Sequence, residues 1–302
     1  TFYFKQKVKS SLMEHAKMLE TQKVVHSFLH DPNLIVDHGV NPNIGLQDAY
    51  RYLAPMIDTD TYMLWLYRQL TEAGVSITHK KLSGYLNDLE PKLKQDFDVD
   101  LIVNCTGLGS FELAMDRYMS PHRGALVRAI NDGSSIPQIT TAHCMTFDKY
   151  QGGQNMIFIL PRGKNRLLIG GLVETDEWST DINLDNYSLV RDMYDRCVEF
   201  LPILKDIKLD LDEPVRAGLR PYREQSVRVE HEPGTHIIHN YGHGGNGVTW
   251  SWGCAEDVVS LAKSLCGVHS IALRIEVRTI KLGEKATGNR QQATDKCPNV
   301  SS

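Results

Sequence analysis

Residues 236–259, HIIHNYGHGGNGVTWSWGCAEDVV, place glycine at 242, 244, 245 and 247, between a β-branched pair (Ile237, Ile238) and an apolar-periodic helix candidate. Gly242, Gly244 and Gly247 spell G-x-G-x-x-G, and a strand, a turn and a helix are the context a dinucleotide fingerprint requires. That fingerprint also needs an acidic residue about 20 positions on, to hold the ribose. The segment at that distance, LCGVHS, has none, and the sequence after it is too short to complete a doubly wound sheet. A tight turn alone does not need this many glycines. The cluster is better read as backbone N–H groups at a helix N-terminus, offered to an electron-rich ligand with no side chains in the way. His239 and His243 are candidate acid–base groups whose plainer reading is structural. No Ser-His-Asp or paired-carboxylate arrangement is evident.

The elements that must position these residues follow from periodicity. Phe4, Val8, Leu12, Ala16, Leu19, Val24 and Phe28 recur at helical spacing and predict one or two amphipathic helices. A helix with Tyr62, Leu66 and Leu70 on one face stops at Gly74, and VSITH after it reads as a strand. Leu101, Ile102 and Val103 form a buried-type strand running into a small-residue turn from Thr106 to Ser110. GALVRAI, NMIFIL and RLLIGGLV are strand candidates, the last two a hairpin in an antiparallel sheet. Next come a helix facing inward through Leu189, Met193 and Val198, a short strand after AGLRPYR, and the glycine cluster's own helix. That last helix should bury Val248, Trp252, Ala255, Val259 and Ala262 and end near Gly267. SIALRIEVRTIKL reads as a weak strand or arm, and the polar remainder as disordered.

The 302 residues, 41% hydrophobic and 23% charged, describe an ordinary globular chain of one large or two ordinary domains. No apolar run approaches the roughly 20 residues of a membrane helix. A net charge of -4 argues against a generic nucleic-acid binder and for a small-molecule partner. Six cysteines without C-x-x-C suggest neither zinc nor a redox pair, and read as reduced, mostly buried thiols of an intracellular protein. The start, TFYFKQKVKSSLMEHAKMLE, lacks the apolar core of a secretory signal, and its opening Thr suggests a fragment or a processed form.

IIHNYGHGGNGVTWSWGCA closely resembles the C-terminal signature of the D-amino-acid oxidase and D-aspartate oxidase family of FAD enzymes. LIVNCTGLGS, PHRGALV, RLLIGG with DEW beyond it, and GLRPYR occur in that family's order, over about residues 58–265. NCTGLGS and GLRPYR look more like the D-aspartate oxidase branch. The resemblance implies an α/β (mixed α+β) fold: an incomplete Rossmann-type FAD domain plus an antiparallel-sheet substrate domain. It divides the chain into a discontinuous, partial FAD-binding domain (1–125 and 214–266), a substrate-binding domain (126–213) and a divergent, partly disordered tail (267–302). It implies that Gly244, Gly245, Asn246, Gly247, Val248, Thr249 and Thr106 contact FAD, with Gly245 also at the reacting centre. Arg223 matches the arginine that binds the substrate α-carboxylate, and Phe158 lines the substrate pocket. The implied reaction oxidises the α-carbon of a D-amino acid, giving a 2-oxo acid and ammonia while oxygen becomes hydrogen peroxide.

The sequence departs from the family in three places. No strand with a true G-x-G-x-x-G turn precedes Gly107, because Gly39, Gly45, Gly74 and Gly84 stand alone. If this is the whole protein, the ADP half of the FAD site is missing and binding is expected to be weak. Phe158 stands where many relatives have a hydrogen-bonding tyrosine, and Val173 where D-aspartate oxidases have an arginine. Lys149 or Arg162 are the nearby cations that could substitute. The readings left open are a D-amino-acid oxidase for D-aspartate or neutral D-amino acids, a non-catalytic family descendant that binds or supports, and a glycine or sarcosine oxidase-like flavoenzyme. Partners are a D-amino acid and oxygen, with no nucleic acid or membrane and a homodimer conceivable. Location is peroxisomal by family analogy or cytoplasmic, the terminal NVSS carrying no peroxisomal address.

Overall fold

A computed structural model describes residues 1–145, 156–267 and 277–279. The described strands are β1 (Phe2–Phe4), β2 (His26–His30), β3 (Asp48–Leu53), β4 (Ile77–His79), β5 (Ile102–Asn104), β6 (Met119–Ile130), β7 (His143–Met145), β8 (Ile157–Arg162), β9 (Arg166–Thr175), β10 (Val215–Arg223), β11 (Arg228–His231), β12 (Ile237–Tyr241) and β13 (Val277–Thr279). The α-helices are α1 (Leu12–Val24), α2 (Leu34–Asp37), α3 (Thr59–Glu72), α4 (Leu86–Phe97), α5 (Ser110–Leu113), α6 (Ser188–Phe200) and α7 (Gly247–Cys266). Two compact units emerge. The first comprises Thr1–Arg68, Gly124–Glu174 and Ile182–Gly218, and the second Gln69–Arg123, Thr175–Asp181 and Leu219–Ser302.

The first unit is organised by a large mixed sheet, ordered β10-β6-β9-β8-β7-β1-β3-β2. The expected hairpin forms: β8 and β9 pair antiparallel with Phe158 opposite Gly170 and Ile159 opposite Ile169. β1 pairs antiparallel with β3 but parallel with β7, so the sheet is not purely antiparallel. Against it α6 buries Val190, Met193, Cys197 and Phe200, while Leu189 and Val198 of the expected face are only partly buried beside them. At roughly 25 cal/mol per Å² of apolar area, such a cluster of fully buried aliphatics is the main stabilising term of the unit. The N-terminal periodicity is corrected here. Only Leu12–Val24 of the expected helical stretch is α-helix, whereas Phe4 and Phe28 lie in strands that flank β3. Pairing with Asp48–Leu53 overrides a helical spacing that is itself weakly amphipathic, α1 burying Met18 alone.

The second unit holds the glycine cluster. β12 runs parallel to β5, with Ile237 opposite Ile102 and His239 opposite Asn104, and antiparallel to β11. Side chains alternate across this three-stranded sheet. Ile237 packs with Leu86, Leu93 and Leu113 on one side, and Ile238 packs with Val258 and Ala262 of α7 on the other. Of the expected stripe α7 buries Ala262 and partly buries Val259, with Val258 buried beside them, whereas Trp252 is 62% exposed, Val248 is 39% exposed, and Ala255 is exposed. β13, within the expected arm, pairs parallel with β4. The expected disorder of the remaining tail lies outside the described residues. Of the five described cysteines, only Cys144 and Cys197 are buried, so the expectation of mostly buried thiols does not hold for Cys105 and Cys266, which are exposed. Among the described residues no helix is long and apolar enough to cross a membrane.

Candidate functional site

β12 delivers the chain at Tyr241 into a turn that only glycine fits well. Gly242 has φ +87°, and a β-carbon there would stand 2.8 Å from Cβ of Arg223. Gly244 (φ +55°) opens a short 3-10 turn through Asn246, and α7 starts at Gly247. Asn246 occupies the N-cap position without a side-chain cap hydrogen bond, and Val248 and Thr249 in the first turn are exposed. The N-terminus of a 20-residue helix, with its fractional positive charge, thus opens from an exposed loop in which three of the four residues before Val248 are glycine.

GLRPYR lies against that loop as part of β10, and strand alternation sorts its residues. On one face, a β-carbon at Gly245 would be 3.5 Å from Cδ of Arg220, and one at Gly244 3.5 Å from the Tyr222 ring. Tyr222 also forms a bridge with His243. On the other face, Gly242 meets Arg223, and a β-carbon at Gly107 would be 3.4 Å from Cβ of Pro221. The Thr106 turn, the RPYR strand and the glycine loop therefore meet in one place.

The two arginines do different things there. Arg223 donates from Nε to Asp116 Oδ2 at 2.7 Å and from one terminal nitrogen to the Ser226 carbonyl at 2.9 Å. Asp116 is 6% exposed and also accepts from Tyr241 Oη at 2.8 Å. Burial pulls its carboxyl upward, but the hydrogen bonds from Arg223, Tyr241 and the Tyr118 amide, with the Arg223 charge, leave it below the usual carboxylate range. Arg220, half-buried beside Gly245, has its pKa lowered by burial; as a guanidinium it keeps its charge.

A polar chain runs beneath the loop. Arg228 donates to Tyr241 Oη (2.9 Å), Glu230 and Glu232 (2.6 Å each), and Glu232 faces His239 Nε2 at 3.0 Å. The Asn104 amide nitrogen lies 3.1 Å from His239 Nδ1 and 3.3 Å from Ser110 Oγ. An amide N–H on Nδ1 requires the Nε2–H tautomer, which donates to Glu232. Burial, then the Arg228 charge, lowers the His239 pKa, so it is a neutral structural link. The Thr106 hydroxyl is spent locally, donating to Asn104 Oδ1 at 2.7 Å and pairing with Ser110 Oγ at 2.9 Å.

Of the expected site residues, Gly244, Gly245, Asn246, Gly247, Val248, Thr249, Thr106 and Arg223 come together in the second unit. Phe158 belongs to the first unit, on β8, where its ring fills the space left by Gly171, whose β-carbon would stand 3.2 Å from it. Arg162, a suggested substitute cation, donates to Thr59 Oγ1 at 3.2 Å. Lys149 lies outside the described residues. Arg220, His122 and Asp116 were not singled out. Arg220 was legible in principle, since residues 220 and 223 of a strand must face opposite ways.

A family model described as FAD dependent oxidoreductase matches residues 8–261. The chain belongs to this family of FAD-dependent oxidoreductases. A D-amino-acid oxidase of Rubrobacter xylanophilus is 34% identical over 221 residues, 72% of this chain and 60% of that protein. One of Streptomyces coelicolor is 35% identical over 212 residues, 69% of this chain and 58% of that protein. The chain thus spans about three-fifths of the length of the curated relatives it matches. The fold is that of solved amino-acid-oxidising flavoenzymes. A glycine oxidase from Bacillus cereus superposes with TM-score 0.59 at 13% identity, covering 90% of this chain and 75% of that one. An L-proline dehydrogenase from P. horikoshii gives TM-score 0.63 at 10% identity, covering 88% and 71%. FAD is the family's cofactor. The loop at Gly244 and Gly245 fits its ring half through its donors: Gly245 and Asn246 are exposed at the N-terminus of α7, where backbone N–H groups suit an electron-rich ring. A second cradle for the pyrophosphate is not found among the described residues: Gly39, Gly45, Gly74 and Gly84 have positive φ and face open space in turns.

Proposed function

We propose that this chain carries the flavin-facing and substrate-facing parts of an FAD-dependent oxidase that deaminates D-amino acids to 2-oxo acids, ammonia and hydrogen peroxide. The observation that carries this reading is Arg220 standing beside Gly245, which brings a carboxylate-binding fork to the loop suited to the flavin ring. Bound FAD would supply hydride acceptance, the step no side chain performs. The protein's own work is placement. Arg220 takes the α-carboxylate role expected of Arg223, whose Nε is engaged by Asp116 and whose Cβ backs Gly242. The N-terminus of α7, at Gly247, Val248 and Thr249, favours negative charge developing against it. The second unit is assigned to FAD, and residues 126–213 to the substrate side.

Neutral D-amino acids are favoured over D-aspartate. Position 173 is valine, and Arg162 is already bonded to Thr59. The relatives include bacterial proteins, so kinship does not by itself assign a peroxisomal site. The test is to titrate the purified chain with FAD, remove oxygen, and add D-alanine, D-aspartate or glycine while following the oxidised flavin band. Bleaching by D-alanine before the others supports the reading. Flavin that binds but is bleached by none sinks it in favour of a non-catalytic family member.

A further inference from the structure

We propose that His122 is a catalytic residue of the site described above: the base that takes a proton from the substrate's α-ammonium group. The inference rests on the oxidase reading, and on an observation that the reading does not use. His122 lies on β6, next to β10 in the sheet, and its imidazole stacks on Tyr222 with centroids 4.1 Å apart and planes 18° apart. Tyr222 is the residue whose ring lies under Gly244 and whose backbone bridges His243. Tyr222 and Arg220 are two apart on one strand, so His122, Tyr222, Arg220 and the glycine loop share a face.

His122 is half-buried, no hydrogen bond of its ring nitrogens is formed among the described residues, and neither nitrogen is one of the fully buried polar atoms, so the ring is open to a partner from outside the fold. A polar group kept partly out of water without an internal partner is suited to accept one from a ligand. Its charged surroundings point the same way. Arg220 comes from the face it shares, and Asp176, whose amide is bonded to the Pro121 carbonyl at 2.9 Å, approaches from the turn after β9. Burial lowers its pKa first, the Arg220 charge lowers it further, and Asp176 partly opposes both. The imidazole is accordingly neutral at pH 7 and able to accept a proton.

The α-amine of a D-amino acid is bonded to the carbon next to its carboxylate. A carboxylate on Arg220 therefore places the ammonium within a few ångströms, on the face that His122 shares. One N–H bond of the ammonium breaks, its electron pair stays on nitrogen, and a new N–H bond forms on the imidazole. The imidazolium then returns the proton to water. The freed lone pair would then form the C=N bond, and bound FAD would supply the acceptor for the α-hydrogen and the two electrons that leave with it.

The experiment compares wild type with His122→Gln and His122→Asn, two polar replacements of similar size. Each FAD-loaded protein is mixed anaerobically with D-alanine in a stopped-flow instrument between pH 5 and 10. In wild type, the flavin reduction rate should rise with pH through a value below the ordinary histidine range and then level off. In both variants it should be about 10²-fold slower at pH 7 and keep rising until the substrate's own ammonium ionises. A second readout needs no turnover: the His122 ring nitrogens, followed by NMR in the flavin-free protein, should titrate below the usual histidine value, and lower still in Asp176→Asn. Variants with rates within twofold of wild type and the same pH profile overturn the role of His122 and leave the oxidase reading intact. A wild-type chain that binds FAD but is reduced by no D-amino acid overturns both.

Discussion

A β-carbon on Gly242 would lie 2.8 Å from Cβ of Arg223, closer than two carbons can sit, at a backbone φ of +87°. The glycine loop is therefore seated directly on the strand that carries GLRPYR. Gly242→Ala meets both obstacles at once, since neither backbone has room to withdraw. A non-glycine residue in that region costs roughly 1–3 kcal/mol before any clash is counted. The variant should unfold several degrees below wild type in a thermal melt, at roughly 2–4 °C per kcal/mol for a domain of this size. A melt superposable on wild type would mean that the loop does not sit where the structure puts it.

Gly245→Ala separates function from folding. No positive φ is required at Gly245, and its β-carbon would make an ordinary 3.5 Å contact with Arg220 Cδ. The thermal midpoint should stay at the wild-type value. The methyl group adds bulk to the exposed loop proposed to face the flavin ring, so FAD should bind at least about 10-fold more weakly, a loss of roughly 1.4 kcal/mol. Flavin fluorescence titration measures it, and unchanged affinity would remove Gly245 from the cofactor surface.

Local pattern made some of this site legible and hid the rest. The β8–β9 hairpin could be read because alternation and a polar turn coincide there. The glycine loop could be read because four glycines exceed what a turn needs. The strands at Phe2–Phe4 and His26–His30 could not, because their partner Asp48–Leu53 is distant in sequence and a helical spacing covers both ends. α7 offers apolar residues on several faces, and only its packing on Ile238 selects Val258 and Ala262. The choice between Arg220 and Arg223 depends on which of them a buried carboxylate engages. That is a tertiary fact, and the aspartate that engages Arg223 lies 107 residues away.

The two arginines should fail differently. Arg223→Ala leaves Asp116, 6% exposed, without its cationic partner, a loss in the range of about 3–5 kcal/mol for breaking a buried pair. Because the Asp116 pKa is lowered in the native protein, its contribution is present above the unfolded value near pH ~4 and is lost as pH falls through the folded value. In Arg223→Ala that acid limb should move to higher pH. Arg220→Lys keeps the charge but loses the fork. It should melt like wild type and raise KM for D-amino acids at least about 10-fold. The reverse pattern, a stable Arg223→Ala with raised KM, would return the carboxylate role to Arg223.

A second buried cluster, in the first unit, sets an acid limit on stability. Tyr3 Oη lies 2.8 Å from Nδ1 of His38 and 2.9 Å from Nδ1 of His143, and its ring stacks on His143 at 12°. His143 is 3% exposed, and burial, followed by the charges of His38 and the amino terminus, pushes its pKa down to about 3. Above the unfolded histidine value of roughly 6.5, both states are neutral and pH has no effect through this group. Between there and about 3, the unfolded chain takes up a proton that the native protein refuses, so stability is lost as pH falls. From pH 6.5 to 5 the loss through this one residue amounts to about 1.6 kcal/mol. His38, His122, His239 and His243, also shifted downward, add slope of the same sign. His143→Phe keeps an aromatic ring beside Tyr3 and removes the titration. Its denaturant midpoints between pH 5 and 7 should therefore fall less steeply than those of wild type, by about 1.4 kcal/mol per pH unit below pH 6. Parallel pH profiles for the two proteins would show that His143 is not the group that refuses the proton.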